Sequence, residues 1–228
     1  MNYRNFFSTA FLFISTSAYS VTPYIEGQIG YAGIIGDAET ERISGTASAY
    51  GQTYTYTNLG LDLEYHSDVG FGVEIGGKAI SDTNLRVGVS YNTYKFDLNK
   101  VKVAGTIANA TESYSNLTAD GDVFQQDFGV DMDNRAKIYS TNIYYDFNLS
   151  ENLKPFLGVG LGIVDIENVK DNEFALSASA GGKYYFNKKV YLGAKASYIN
   201  VNGPKDKLDV SYEDIELYSA NLILGYEF

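Results

Sequence analysis

The sequence predicts an all-β protein, a closed antiparallel eight-stranded transmembrane β-barrel. Three observations carry this. Apolar and polar residues alternate with a period of two through most of residues 21–228. The breaks between these runs alternate between short and long, as in a barrel with tight turns at one end and large loops at the other. The last run ends on a phenylalanine, Phe228.

Residues 1–20 read as a signal peptide, leaving 21–228 as the barrel domain. Arg4 is the only charge before an apolar run, Phe6 to Ile14, that is far shorter than the ~20 residues of a spanning helix. Ala18-Tyr19-Ser20 fits a small-residue cleavage site, so the mature chain should begin at Val21. The alternative, a buried N-terminal helix, lacks an amphipathic period.

No later stretch approaches 18 consecutive apolar residues, so no transmembrane helix is expected. The mean hydropathy of −0.18 still suits a membrane barrel, because only alternate residues of each strand face lipid. Cysteine is absent, so a core or a closed hydrogen-bonded ladder must hold the fold. The net charge is −11, and loss of Arg4 makes it −12. That argues against nucleic acid as a partner, since a phosphate-binding surface is basic. The 21 Tyr, 13 Phe and 23 Gly, against 3 Pro, suit strands and aromatic belts.

The strands follow in order. Ile25, Ile29 and Tyr31 alternate with Glu26, Gln28 and Gly30. Val69, Phe71, Val73 and Ile75 alternate with Gly70, Gly72, Glu74 and Gly76, and after Ser81–Asn84 a partner run sets Leu85, Val87, Val89 and Tyr91 against Arg86, Gly88, Ser90 and Asn92. Ile143, Tyr145 and Phe147 oppose Asn142, Tyr144 and Asp146. Leu157, Val159, Leu161 and Ile163 are separated by Gly158, Gly160 and Gly162. Phe174, Leu176, Ala178 and Ala180 lead to Val190, Leu192, Ala194 and Ala196. The last strand places Tyr218, Ala220, Leu222, Leu224, Tyr226 and Phe228 on one face.

Ser81–Asn84, Ser150–Lys154 and Asn187–Lys189 are the short connections. Ile35–Ser67, Asn99–Arg135, Asn168–Glu173 and Asn202–Glu213 are the long ones. The pattern places both termini in the periplasm. Leu59, Leu61, Leu63 and Tyr65 share the parity of Val69 and read as an extension of that strand above the membrane. A ten-stranded barrel, with a turn at His66–Asp68, is the alternative. A soluble sandwich or lipocalin-like barrel would not demand the alternation of loop lengths.

In a membrane barrel the apolar face meets lipid and the other fills the lumen. That second face carries Glu26, Glu74, Lys78, Arg86, Asn142, Asp146, Lys183 and Lys195. An eight-stranded interior is just wide enough for side chains to fill, so these residues are expected to form a paired polar network. A pore lining is the alternative. Gly158, Gly160 and Gly162 should make room for long neighbours such as Arg86 or Lys183. Tyr145 with Phe147, Tyr184 with Phe186, and Tyr226 with Phe228 cluster at strand ends, as an interfacial girdle would.

These residues resemble the small outer-membrane β-barrel family that includes opacity proteins and the barrel domain of outer-membrane protein A. The resemblance is strongest from Ile138 to Phe186, in the runs Thr141 to Phe147, Pro155 to Gly162 and Phe174 to Gly182. Asn221 to Phe228 looks like the signal by which barrel assembly machinery recognises such proteins, with Asn221 as its polar start and Tyr226 and Phe228 as its aromatics. Ile223 stands where that pattern usually carries Gly. The resemblance implies the bacterial outer membrane, contact with its lipids and a surface location. It does not imply one activity, since members serve as adhesins, serum-resistance factors or anchors.

No catalytic, cofactor or metal residue is assigned. His66 lies beside Ser67 and Glu64, but strand neighbours point to opposite faces, so His66 and Ser67 do not readily pair. Asp120, Asp122, Asp127, Asp131 and Asp133 crowd one segment, yet their spacing matches no defined calcium loop and reads as solvated. Asn109-Ala110-Thr111 and Asn116-Leu117-Thr118 match a glycosylation acceptor pattern that means little in a bacterial cell. Tyr50, Tyr54 and Tyr56 suit either a contact surface or an extended hairpin. The expected protein is a non-enzymatic, monomeric surface barrel, structural or adhesive, whose acidic loops meet a host or environmental ligand. A narrow porin-like channel and an outer-membrane lipid-modifying enzyme are the other classes.

Overall fold

The computed structural model describes residues 21–49, 51–79, 84–128, 134–167, 169–205 and 211–228. The expected signal peptide and most of the Ser81–Asn84 turn lie outside them. The elements are β1 (Val21–Ile34), β2 (Ala38–Glu39), β3 (Ile43–Ala49), β4 (Gln52–Ala79), β5 (Leu85–Ala108), β6 (Ser113–Asp120), a helix α1 (Gly121–Phe128), β7 (Asn134–Asp146), β8 (Leu153–Ile166), β9 (Glu173–Tyr185), β10 (Val190–Val201) and β11 (Ile215–Glu227).

Eight of these strands form a ring. The order is β4-β1-β11-β10-β9-β8-β7-β5, and β5 pairs in turn with β4. Every junction is antiparallel. The chain's first and last ring strands are zipped from Tyr24↔Glu227 to Ile34↔Leu217. Each ring strand therefore has two neighbours, and among the described residues no ring strand lacks a partner on either side. The ten-strand alternative is set aside, because residues 59–65 continue β4.

Local chemistry sets the tight turns. Asn187 Oδ1 accepts from the Lys189 and Val190 amides, both at 2.8 Å. Ser150 Oγ accepts from the Leu153 amide at 3.0 Å. These side chains satisfy backbone donors that the ladder cannot reach.

The long connections differ from expectation. Ile35–Ser67 and Asn99–Arg135 are not loops but mostly paired strand. β4 and β5 run 28 and 24 residues, well beyond the ~9–11 needed to cross a bilayer. β3 and β6 pair with their outer halves, giving a four-stranded sheet that projects past the ring. The alternation of Tyr54, Tyr56 and the leucines belongs to this extended hairpin. The expected acidic loop after Asp120 begins instead as α1.

One parity expectation also fails. Val69, Phe71 and Val73 are exposed on the outside, whereas Leu63, of the same parity, is buried. The pairs Ser67↔Phe96 and Phe71↔Thr93 enclose one more residue on β4 than on β5. One inserted residue swaps every later side chain to the other face.

Outside the ring, apolar side chains form a continuous belt. Phe71, Val159 and Leu224 are 64%, 63% and 60% exposed, and Ile29, Leu161, Leu222 and others join them on neighbouring strands. The interior is layered. At the short-turn end, Tyr144, Phe156, Tyr185, Tyr191 and Ile223 form one buried cluster. Toward the long-loop end, Ala32, Tyr94, Phe96, Ile138, Val164, Ile199, Val201 and Leu217 form another. A third, Ala38, Leu63, Leu98 and Val101, sits under the base of the projecting sheet. Polar residues lie between the first two.

Candidate functional site: the lumen and the projecting sheet

The lumen network is built on an unfavourable pair. Glu26 and Glu74 are direct cross-strand partners on β1 and β4, and like charges so placed repel. Arg86 on β5 resolves this. Its Nη1 donates to Glu26 Oε1 at 2.9 Å and to Glu74 Oε1 at 3.4 Å, and its Nε lies 3.6 Å from Asp146 Oδ1. Lys183 Nζ reaches Glu26 at 3.0 Å, and Lys195 Nζ lies 3.9 Å from Glu74. Tyrosines complete the shell. Tyr24 and Tyr144 donate to Glu74, and Tyr191 donates to Glu26, each at 2.7 Å. Asn142 Nδ2 adds a bond to Glu74 at 3.2 Å. The guanidinium also sits over the Tyr144 ring, 4.1 Å from its centre.

The structure thus brings together Glu26, Glu74, Arg86, Asn142, Asp146, Lys183 and Lys195, all buried. Lys78 stands apart. It is half-buried, at the end of β4, within electrostatic reach of Lys154 rather than in the ion cluster. The tyrosine donors were not singled out in the sequence. The signal was there, because Tyr24, Tyr144 and Tyr191 have lumen parity.

The glycines serve different neighbours from those expected. A Cβ at Gly158 would overlap the Tyr144 ring, and one at Gly160 would meet Asn142. Arg86 is accommodated indirectly, stacked on the ring that Gly158 admits. Ile223 fills the aromatic cluster, so the residue that departs from the terminal pattern is core. Gly225 is similar in kind to Gly158: its Cβ would lie 2.1 Å from Tyr191. Gly225→Ala is expected to push Tyr191 off Glu26 and cost about 1–3 kcal/mol. The urea midpoint of the vesicle-inserted protein measures this.

Between the ionic layer and the apolar layer lies a polar cavity of about 30 Å³, bordered by Gln28, Ser90, Asn92, Asn142, Lys195 and Asn221. That is room for about two waters. The ionic layer lies on one side of it and the apolar layer on the other.

At the terminus, Asn221 points inward, accepts from Tyr94 Oη at 3.2 Å and donates to Ser219 at 3.1 Å. Tyr226 and Phe228 lie outside with ring centres 5.1 Å apart, edge to face. Tyr145 with Phe147 and Tyr184 with Phe186 repeat that arrangement at 5.0 and 5.7 Å. The three pairs occupy the short-turn rim, as a girdle does.

His66 is exposed on β4. The Ser67, Asp127, Asp131 and Asp133 side chains and all of Tyr50 lie outside what the structure describes. No group of three or more His, Asp or Glu able to hold a metal occurs among the described residues. Above the ring, ion pairs brace the projecting sheet: Lys102 with Asp37 at 2.8 Å and with Glu64 at 3.6 Å, and Arg42 with Glu39 and Asp62. The hydrogen bond to Asp37 holds the Lys102 ammonium above its ordinary range.

A ring of eight antiparallel strands, apolar outside and ionic within, is a membrane-spanning β-barrel; in water the belt would be an aggregating surface. The profile described as "Outer membrane protein beta-barrel domain" matches residues 6–228, and the chain belongs to that family. The protein is therefore one of the bacterial outer membrane, in contact with its lipids. Among solved structures, outer membrane protein AlkL has a TM-score of 0.50 at 14% identity, over 94% of this chain and 93% of that one. Neisserial surface protein A gives 0.48 at 15%, over 90% and 97%. OprG of Pseudomonas aeruginosa gives 0.45 at 14%, over 92% and 97%. No curated protein matches the chain. In this class the short turns lie in the periplasm and the long connections face outside.

Proposed function

We propose that the barrel is a sealed, non-enzymatic anchor and that the projecting sheet is the working part, engaging a host or environmental surface ligand. The observation that carries this is the lumen. It is filled by an ion cluster near the periplasmic end and by apolar side chains near the outer end, while β4 and β5 continue far outside. A filled lumen leaves the external surface as the place for recognition. Deleting residues 44–57 and 104–118 should abolish binding to target cells yet leave heat-modifiable gel mobility intact. Retained binding would sink the adhesive reading.

A narrow channel is the second reading, favoured by the polar middle layer. The ion cluster on one side of that layer and the apolar side chains on the other argue against it, and planar bilayers are expected to stay silent. Discrete conductance steps would reverse that order. A lipid-modifying enzyme is third; exposed His66 has no assembled partner set around it among the described residues, and His66→Ala should leave lipid profiles unchanged. The remaining assignments are part of the same proposal: cleavage after Ser20, a lumen network of Glu26, Glu74, Arg86, Asn142, Asp146, Lys183 and Lys195 with Lys78 left at its rim, recognition of Asn221, Tyr226 and Phe228 by the barrel assembly machinery, and a monomeric state.

A further inference from the structure

Among the described residues the ring strands are paired on both sides, but the projecting sheet has a free edge. β6 is hydrogen-bonded to β5 along one side, and among the described residues no strand pairs with its other side. Free edges are normally blunted by lysine, proline or an inward charge. Ser113 to Ala119 carries none of these: the run is Ser-Tyr-Ser-Asn-Leu-Thr-Ala. Its side chains are exposed almost throughout, with Tyr114 and Leu117 each about half exposed.

The edge is also shaped. Asn116 has φ 51°, Gly105 beside it on β5 has φ 94°, and Asn58 on β4 has φ 54°. These aligned left-handed residues coincide with the register shifts of both ladders. They bend the sheet and divide the β6 edge at Asn116. A Cβ at Gly105 would lie 2.3 Å from the Asn58 carbonyl oxygen, so the bend requires glycine there. An Asx turn fixes the near end, where Asn109 Oδ1 accepts from the Thr111 and Glu112 amides at 2.9 and 2.7 Å.

Charge distinguishes the two ends from the middle. Glu112 precedes the neutral run, and Asp120 and Asp122 follow it, all exposed. A second copy of this chain would bring like charges together in a molecule that is already strongly acidic. An extended segment with a Lys or Arg near each end would instead meet opposite charge at both.

We propose that the outer edge of β6 binds an extended, basic-ended peptide segment of a partner protein by strand addition. Backbone bonds supply affinity, Glu112, Asp120 and Asp122 select the charge, and Tyr114 and Leu117 contact alternate side chains. The inference deepens the adhesive reading and rests on it.

The probe is the peptide Lys-Thr-Val-Thr-Val-Thr-Val-Lys, fluorescently labelled and titrated against the full chain in detergent micelles. A twin, N-methylated at alternate residues, keeps every charge and side chain but loses one row of backbone donors. Saturable binding by the probe, at least tenfold weaker for the twin and severalfold weaker for the Glu112→Gln/Asp120→Asn variant, is expected. Equal binding of probe and twin would overturn strand addition, and so would no binding of either. In both failures the adhesive reading stands or falls separately, by the cell-binding deletion experiment. Ser115→Lys, which arms the edge without touching the acids, should weaken the probe and also a Gln-ended version of it. An unchanged Gln-ended titration would again count against the edge.

Discussion

Arg86→Met is expected to destabilise the folded barrel by about 3–5 kcal/mol, the usual cost of leaving buried charge unpaired. Arg86 is 1% exposed and sits between three carboxylates. Without it, Glu26 and Glu74 face each other across a ladder, with Lys183 on one and a distant Lys195 on the other. Lys183 alone cannot bridge both. Adding Glu74→Gln should recover part of the loss, since the second substitution removes the repulsion that the first exposes; the two effects will not add. Asp146→Asn should cost less than Glu74→Gln, because Glu74 accepts from Tyr24, Asn142 and Tyr144 whereas among the described residues the Asp146 carboxylate accepts no hydrogen bond and has the Arg86 Nε contact at 3.6 Å. Urea unfolding in lipid vesicles, followed by heat-modifiable mobility, ranks the variants. A change under about 1 kcal/mol for Arg86→Met would mean that the cluster is solvated rather than sealed.

Val159→Arg is expected to cost about 2–4 kcal/mol, the depth-dependent penalty for a cation on the lipid side near the bilayer midplane. Val159 lies midway along β8, outside the ring and flanked by Leu157 and Leu161 on the same face. A long side chain there must snorkel across the belt to reach water. The same substitution at exposed Leu117, on the projecting sheet, should fall within about 0.5 kcal/mol, as surface changes usually do. The comparison separates lipid from water on one molecule. Equal effects at the two sites would contradict a membrane belt on β8.

Much of this architecture is legible in the sequence. Alternation marked Ile25, Phe71, Leu161 and Leu224 as one face and Glu26, Glu74, Arg86 and Lys183 as the other, because a strand has only two sides. Loop lengths marked the orientation. The terminal aromatic pairs marked the girdle. The long connections Ile35–Ser67 and Asn99–Arg135 carry no local mark of their pairing, since Ser, Thr, Gly and Asn suit turns and edge strands alike. The pairing of β4 with β5 reaches across as far as Thr55↔Ala108, about a quarter of the chain, which no local pattern records.

The sequence by itself determined which residues could share a face and that both signs of charge would lie inside. Only the tertiary structure decided which of them meet. Ring closure sets Glu26 against Glu74 and drops Arg86 between them, while Lys78, of the same parity, is left at the rim. It also decided the fate of Leu63. One extra residue near Ser67 turns an apolar side chain from the lipid face into a small core above the membrane. Period two is a property of a single strand, whereas register and bulges are properties of two strands together.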